Sequence, residues 1–192
     1  MTSDIDRRLL LQLVREAIIA HVTGTPRPAP AESPLLERPG AAFVSLHSRG
    51  ELRGCIGHVE ADEPLGCVIV RCGVAACSSD PRFPPVLASE LSEIIVELSL
   101  LGPLEPIGGS HDIEIGRHGL VVELGWYRGL LLPQVATEWG WDRDAFLAQT
   151  CHKAGLPRDA WQHGAKLWRF EAEVFGDLTD PPARTGSARP LP

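Results

Sequence analysis

The segment Leu52–His58 carries the residue types best suited to chemistry, and it reads LRGCIGH. Glycines inside a strand usually mark the close approach of another backbone or of a ligand. In a regular strand Arg53, Cys55 and Gly57 share one face, so the guanidinium would favour the thiolate, the form that attacks electrophiles. His58 would point to the opposite face, which disfavours a local Cys–His pair. Alternatively, these residues only fit a tight contact between sheet and helix, and free cysteine is usually such a buried, inert residue.

The segment Asp80–Pro85 reads DPRFPP, and its three prolines restrict the backbone around a displayed arginine. A rigid loop that presents Arg82 can hold a carboxylate or a phosphate. The alternative is that Asp80 caps local backbone groups and pairs with Arg82. Both interpretations stay open at the level of sequence.

The cysteine pattern argues against a metal site or a disulfide framework. The chain has five cysteines and no CxxC pair, as a reducing compartment permits. Cys67, Cys72 and Cys77 are five residues apart, which on a helix turns the chain by about 140°, so the three cannot converge on one ion. Known phosphate-binding, dinucleotide-binding and zinc-protease motifs are absent from the sequence. We therefore expect neither a metal nor a cofactor.

The overall charge disfavours nucleic acid as a partner. The 192 residues include 18 Lys and Arg against 25 Asp and Glu, a net charge of -7. Nucleic-acid binding would require a basic patch assembled from distant arginines. The candidates for such a patch are Arg49, Arg53, Arg82, Arg117 and Arg128. The sequence shows neither a secretory signal nor an apolar run of about eighteen residues, so we expect a cytoplasmic protein that does not enter the membrane.

The first half of the chain predicts elements that would position the LRGCIG segment. Residues 3–22 have helical apolar spacing, and Gly24 follows as a stop signal. Residues 25–40 contain five prolines and predict an extended crossing. The runs Ala41–His47 and Leu52–Val59 predict a hairpin that turns at Gly50. A helix is expected from Pro64 to Asp80.

The second half predicts further strands and two helices. Strands are expected at Ile94–Leu101, at Ile113–Gly116 paired with Leu120–Leu124, and at Lys166–Phe175, where apolar and polar residues alternate. Helices are expected from Pro133 and from Asp142 to Ala154. Residues 1–175 are therefore predicted to form one α+β domain with an antiparallel sheet flanked by helices, and residues 176–192 a loose tail.

Three segments in order resemble one known family. They are LRGCIG at 52–57, DPRFPP at 80–85, and LLPQVA at 131–136 followed by TCHKAGLP at 150–157. Together they resemble the AMMECR domain family, whose bacterial and archaeal members are called AmmeMemoRadiSam system protein A. The resemblance runs from about residue 41 to residue 175, which is most of the chain.

The resemblance implies a fold, two partner proteins and a set of candidate site residues. The implied fold is α+β with a larger and a smaller lobe, a cleft between them, and LRGCIG near the cleft. The implied partners are a Memo-like protein and a radical-SAM protein, while the family has no agreed biochemical activity. Cys55 is the candidate catalytic residue. The candidate ligand-binding residues are Arg53, Gly54, Gly57, Asp80, Arg82 and Gln134.

Two functions are compatible with these residues and this resemblance. The first is a binding module or adaptor that presents a partner protein, or a small anionic ligand, to the radical-SAM component. The second is an enzyme in which Cys55 is a nucleophile or a redox thiol. The second function lacks a visible general base, which would have to come from a distant part of the chain.

Overall fold

The computed structural model describes residues 2–29 and 32–177, which form two compact units. The helices are α1 (Asp4–Thr23), α2 (Pro34–Glu37), α3 (Leu65–Ser78), α4 (Pro133–Trp139) and α5 (Arg143–Lys153). The strands are β1 (Ala41–Ser48), β2 (Glu51–His58), β3 (Ile95–Leu101), β4 (Glu105–Pro106), β5 (His118–Leu124), β6 (Tyr127–Leu131) and β7 (Lys166–Gly176). The observed strand pairings are antiparallel, so the predicted α+β class is confirmed.

The first unit comprises the described residues up to Leu101 and the end of β7 from Glu173. Its helix α1 begins where predicted, because the Ser3 side chain accepts a hydrogen bond from the Asp6 backbone N–H. It ends at Gly24, whose φ of 67° is the left-handed conformation that glycine adopts without strain. The buried face of α1 packs against α3.

In the sheet of the first unit, β1 lies between β2 and β3. The β1–β2 hairpin turns at Arg49 and Gly50, with φ values of 52° and 82°, so the predicted turn is confirmed. One face of this sheet packs on the helices α1 and α3. The buried residues on that face are Ala42, Val44, Leu46, Val96 and Leu98.

The second unit comprises Gly102–Ala172. Its strand β5 pairs with β6 on one side and β7 on the other, and the short β4 also pairs with β7. Helix α5 is capped by Asp142, whose Oδ1 accepts a hydrogen bond from the Ala145 N–H at 2.8 Å. The core of this unit lies between the sheet and α4 and α5. Its buried residues include Leu120, Val122, Leu131, Ala136, Phe146, Leu147 and Cys151.

Two predicted elements are wrong. Ile113–Gly116 is not a strand, and β5 instead pairs with β6 through a turn at Gly125, whose φ is 60°. Gly119 had suggested the turn, but it lies inside β5, where a Cβ would be 2.3 Å from the Phe170 ring. The proline-rich crossing also contains an element, the single-turn helix α2, which buries Leu36.

Gly176 still belongs to β7, and the predicted tail beyond Asp177 lies outside the described residues. Within residues 2–29 and 32–177, no helix is long and apolar enough to cross a membrane.

Candidate functional site

The loop that begins at Asp80 binds to the backbone of Cys55 in β2. Asp80 is 4% exposed, and its Oδ2 accepts a hydrogen bond from the Cys55 N–H at 2.8 Å. Arg82 donates from Nη2 to the Cys55 carbonyl oxygen at 3.0 Å and from Nε to Asp80 Oδ1 at 2.9 Å. Asp80 thus caps backbone groups and pairs with Arg82, which is the second of the two interpretations of this motif.

The same contacts set the charge of Asp80. Burial by itself would raise the pKa of this carboxyl, but hydrogen bonds from Arg82 and from the Cys55 and Arg82 backbone amides outweigh burial and lower the pKa to about 2. Asp80 is therefore an anion at neutral pH. The carboxylate in turn raises the pKa of Arg82, so both side chains are charged at neutral pH and form an ion pair.

Arg53 fixes the far end of the same loop. The pairing of β1 with β2 shifts between Leu46 and His47, which leaves Arg53 without a partner in the register. Its guanidinium donates from Nη1 to the Pro84 carbonyl oxygen at 2.8 Å and from Nε to Glu90 Oε1 at 2.9 Å. Arg53 therefore ties the proline segment to β2.

The two glycines of LRGCIG make room for parts of the protein itself. A Cβ at Gly54 would lie 2.2 Å from the backbone oxygen of Ala76 in α3. A Cβ at Gly57 would lie 2.2 Å from a carbon of the Phe43 ring. The close approach predicted at these glycines is present, and the approaching groups are a helix backbone and an aromatic ring.

The Cys55 thiol lies half-buried on the sheet face opposite to Gly54. The Ser45 hydroxyl donates to its Sγ at 3.3 Å. Burial raises the pKa of Cys55; Asp80 and Glu97 add to this increase, while Ser45 and Arg82 oppose it. The expectation that Arg53 would lower this pKa is wrong, because the guanidinium is engaged with the loop and burial dominates. Cys55 is a neutral thiol at pH 7.

Sequence reasoning missed the residues beside Cys55 on the neighbouring strands. Ser45 in β1 lies opposite Cys55 on one side and Glu97 of β3 on the other. His47 Nε2 lies 3.8 Å from Glu97 Oε1. Ser99 is 1% exposed, and its hydroxyl has no hydrogen-bond partner within the described residues. The sequence does show polar residues at alternate positions of β1 and β3. Only the pairing register of the three strands, however, shows that these residues lie on the same sheet face as Cys55.

The structure brings most of the predicted site residues together. Those that meet in the first unit are Arg53, Gly54, Cys55, Gly57, Asp80 and Arg82. Gln134 belongs to the second unit, where it lies half-buried in the first turn of α4. A role for these residues in binding a ligand stays a prediction.

Where the structure describes the chain, one group of side chains has the geometry of metal ligands: His58, Asp62 and Glu63, whose ligand atoms lie within 4.8 Å of one another. Other contacts account for this arrangement. His58 Nε2 lies 2.7 Å from Asp62 Oδ1, and Arg71 Nη1 donates to Glu63 Oε2 at 2.6 Å. We therefore interpret the group as surface ion pairs.

Comparison with known proteins places this geometry in a family. The AMMECR1 family model matches residues 11–175. Protein Mbar_A1807 of Methanosarcina barkeri is 40% identical over 185 residues, which cover 91% of this chain and 92% of that protein. Protein MJ0810 of Methanocaldococcus jannaschii is 48% identical over 145 residues, which cover 71% of this chain and 72% of that protein.

A solved structure shares both fold and sequence with this chain. It is the crystal structure of the uncharacterized protein PH0010 from Pyrococcus horikoshii, with a TM-score of 0.87 and 39% sequence identity. The similarity covers 93% of this chain and 94% of that one. The chain therefore belongs to the AMMECR1 family.

Proposed function

We propose that this protein is a binding or adaptor component that works with Memo-like and radical-SAM proteins. The observation that carries the proposal is that the charged groups of LRGCIG and DPRFPP are already bound within the chain. Asp80 and Arg82 bind each other and the Cys55 backbone, and Arg53 binds Glu90 and the proline segment. Charges used in this way are not offered to a substrate.

A motif fixed in this way suits recognition. A rigid loop held to a strand loses little conformational entropy when a partner binds, so more of the contact energy contributes to affinity. The raised pKa of Cys55 points in the same direction, because a neutral, half-buried thiol is a weak nucleophile.

Retention on immobilised protein tests this proposal. The full chain would be attached to a resin and incubated with purified Memo-like and radical-SAM proteins from the same genome. We expect saturable retention of at least one of them at micromolar concentration. Retention of neither protein, singly or as a mixture, would refute the adaptor role.

A matched pair of variants tests whether the fixed loop matters for this binding. Asp80→Ala removes the buried anion that holds the loop, whereas Asp62→Ala removes an exposed carboxylate of the same unit. We expect Asp80→Ala to retain the partner proteins at least tenfold more weakly than the wild type does. Asp62→Ala should retain them as well as the wild type. Near-UV circular dichroism would first identify a temperature at which both variants are folded.

A second candidate function is an enzyme that uses the Cys55 thiol. The observation that favours it is the polar row formed by Cys55, Ser45 and Glu97, in which Ser45 lies between the thiol and the carboxylate. In such a reaction the thiol proton would pass through the Ser45 hydroxyl to Glu97 while Sγ adds to a carbonyl carbon, and the electrons of the broken C=O π bond move to the carbonyl oxygen. His47 lies next to Glu97 and would orient it.

Alkylation kinetics distinguish the two functions. Iodoacetamide modification of each cysteine would be followed by peptide mass spectrometry from pH 6 to pH 10, with the exposed Cys67 as internal control. The adaptor proposal predicts that Cys67 reacts faster than Cys55 at pH 7. If Cys55 reacts faster, and Glu97→Gln slows it at low pH, the enzyme interpretation takes precedence.

A further inference from the structure

The second unit contains a cavity of about 760 Å³ that the LRGCIG and DPRFPP segments do not explain. Its wall includes residues from the segment after β3, from β5 and β7, and from the start of α5. Three arginines and two histidines line it, together with four carboxylates. The cationic and imidazole groups are Arg117, Arg143, Arg169, His111 and His118. A cavity of this volume holds a small organic molecule.

Two of the arginines are occupied by carboxylates of the same wall. Arg169 donates from Nε to Glu105 Oε2 at 3.0 Å. Arg117 donates from Nε to Glu171 Oε1 at 2.8 Å and from Nη1 to Glu114 Oε2 at 3.1 Å. Two guanidinium groups thus serve three carboxylates, so neither arginine is left to hold an anionic ligand.

Asp112, the fourth carboxylate, also has partners. Its Oδ2 accepts a hydrogen bond from the Gly108 N–H at 2.9 Å and lies 3.5 Å from His111 Nε2. The Gly108 amide lowers the pKa of Asp112, and the nearby His111 and Arg169 contribute further. Every carboxylate of the lining therefore has a donor from the protein.

Arg143 differs from the other two arginines. It is the first residue of α5, it is exposed, and it makes no side-chain hydrogen bond or ion pair with any residue in the described ranges. A guanidinium offers five N–H donors in a planar fork that matches a carboxylate. Arg143 therefore offers the cavity a guanidinium whose N–H donors are not taken up by side chains of the described residues.

His118 brings a neutral donor to the same cavity. It is 6% exposed, and its Nδ1 accepts a hydrogen bond from the Glu114 N–H at 3.0 Å. Burial lowers the pKa of His118, and Arg169 and Arg117 lower it further against the opposing effects of Glu114 and Glu171. Because Nδ1 is the acceptor, the neutral ring carries its proton on Nε2.

We propose that this cavity binds a small organic monocarboxylate, whose oxygens accept hydrogen bonds from the Arg143 guanidinium and from His118 Nε2–H. A single negative charge is favoured over two, because the lining holds four carboxylates against three arginines and repels a dianion more strongly than a monoanion. This site does not rest on the proposed partner binding, which is argued from the LRGCIG and DPRFPP residues of the first unit.

An NMR titration of the full chain tests the proposal. The probes are acetate, benzoate and an N-acetyl amino acid, with inorganic phosphate as the dianionic comparison, all at pH 7.5 and constant ionic strength. We expect saturable shifts of the Arg143 and His118 side-chain resonances with at least one monocarboxylate, and weaker binding of phosphate. No saturable shift with any of the three, or tighter binding of phosphate, would overturn the proposal.

Two variants show whether binding uses Arg143 or only a diffuse positive field. Arg143→Gln is expected to weaken monocarboxylate binding at least tenfold. Arg158→Gln removes another exposed arginine of the same unit, outside the cavity lining, and should leave binding within twofold of the wild type. Equal losses in the two variants would also overturn the assignment. Either result leaves the retention assay with partner proteins unaffected, so the two proposals fail separately.

Discussion

Asp80 is the residue on which the motif geometry depends most. A carboxylate that is 4% exposed would be costly if it were alone, and here it accepts hydrogen bonds from two backbone amides and from the Arg82 side chain. The same side chain thus orders both the loop and the strand.

Replacing Asp80 with asparagine should destabilise the protein strongly. The amide keeps the shape of the side chain but loses the charge, and its NH2 group meets donors from Arg82 or Cys55. We expect the free energy of unfolding to fall by about 3 kcal/mol, as for other broken buried ion pairs. Urea denaturation at pH 7 measures the change, and Asp62→Asn should stay near wild type. A loss for Asp80→Asn as small as for Asp62→Asn would contradict this account.

The lowered pKa of Asp80 also predicts a dependence of stability on pH. The folded pKa is about 2 and the ordinary value is 3.8, so the ion pair stabilises the protein above about pH 4, and this stabilisation is lost as pH falls from 4 towards 2. The contribution is roughly 2 kcal/mol. Thermal unfolding between pH 2 and pH 5 should show a shallower slope for Asp80→Asn than for the wild type. Equal slopes would show that Asp80 does not titrate in this window.

At the scale of elements, the contact between β2 and α3 depends on the missing side chain of Gly54. A methyl group there would collide with the Ala76 carbonyl oxygen, and a helix backbone cannot move alone. At Gly57 the collision is with the Phe43 ring, which is partly exposed and can rotate. We expect Gly54→Ala to cost about 3 kcal/mol and Gly57→Ala about 1 kcal/mol.

Denaturant titrations of the two variants check this order. Both substitutions add one methyl group to the same strand, so their effects on β propensity are matched. If Gly57→Ala proves as costly as Gly54→Ala, the contact with α3 is not what requires glycine at position 54.

Elements that are specified locally could be predicted from the sequence. The Ser3 cap and Gly24 delimit α1, and Gly50 sets the first hairpin. The second hairpin was misplaced because Gly119 and Gly125 look alike in sequence. Only the packed fold shows that the first of them faces the Phe170 ring while the second has the left-handed turn conformation.

The sequence was enough to predict which residues belong to the candidate site. It was not enough to predict which hydrogen bonds and ion pairs those residues make. Arg53, Cys55, Asp80 and Arg82 were identified by residue type and resemblance. Whether the charged groups face a ligand or one another depends on contacts between positions 25 to 37 residues apart, such as Asp80 with Cys55. Local patterns do not encode such contacts. For the same reason Glu97, on a third strand, was missed.

For the whole molecule, charge argues against nucleic acid as a partner. The net charge is -7, and each arginine of the patch considered from sequence has an acidic partner. The pairs are Arg49 with Glu93, Arg53 with Glu90, Arg82 with Asp80, Arg117 with Glu171 and Arg128 with Glu123. These arginines therefore do not add up to a phosphate-binding surface.

We therefore expect this protein not to bind DNA or RNA. Fluorescence anisotropy of labelled twenty-nucleotide duplex and single-stranded probes at 50 mM salt should show no association up to micromolar protein. Association that weakens steeply as salt rises would show that the arginines exchange their carboxylates for phosphates.

The pairing of Asp80 and Arg82 with the Cys55 backbone has a consequence for solubility. Among the described strands, β2 is an edge strand of the sheet and pairs only with β1. Its outward-facing backbone N–H and C=O groups would therefore be open to pairing with a strand of another molecule. The carboxylate takes the N–H of Cys55 and the guanidinium takes its C=O, as an adjacent strand would. Loosening this loop would therefore expose a template for edge-to-edge aggregation.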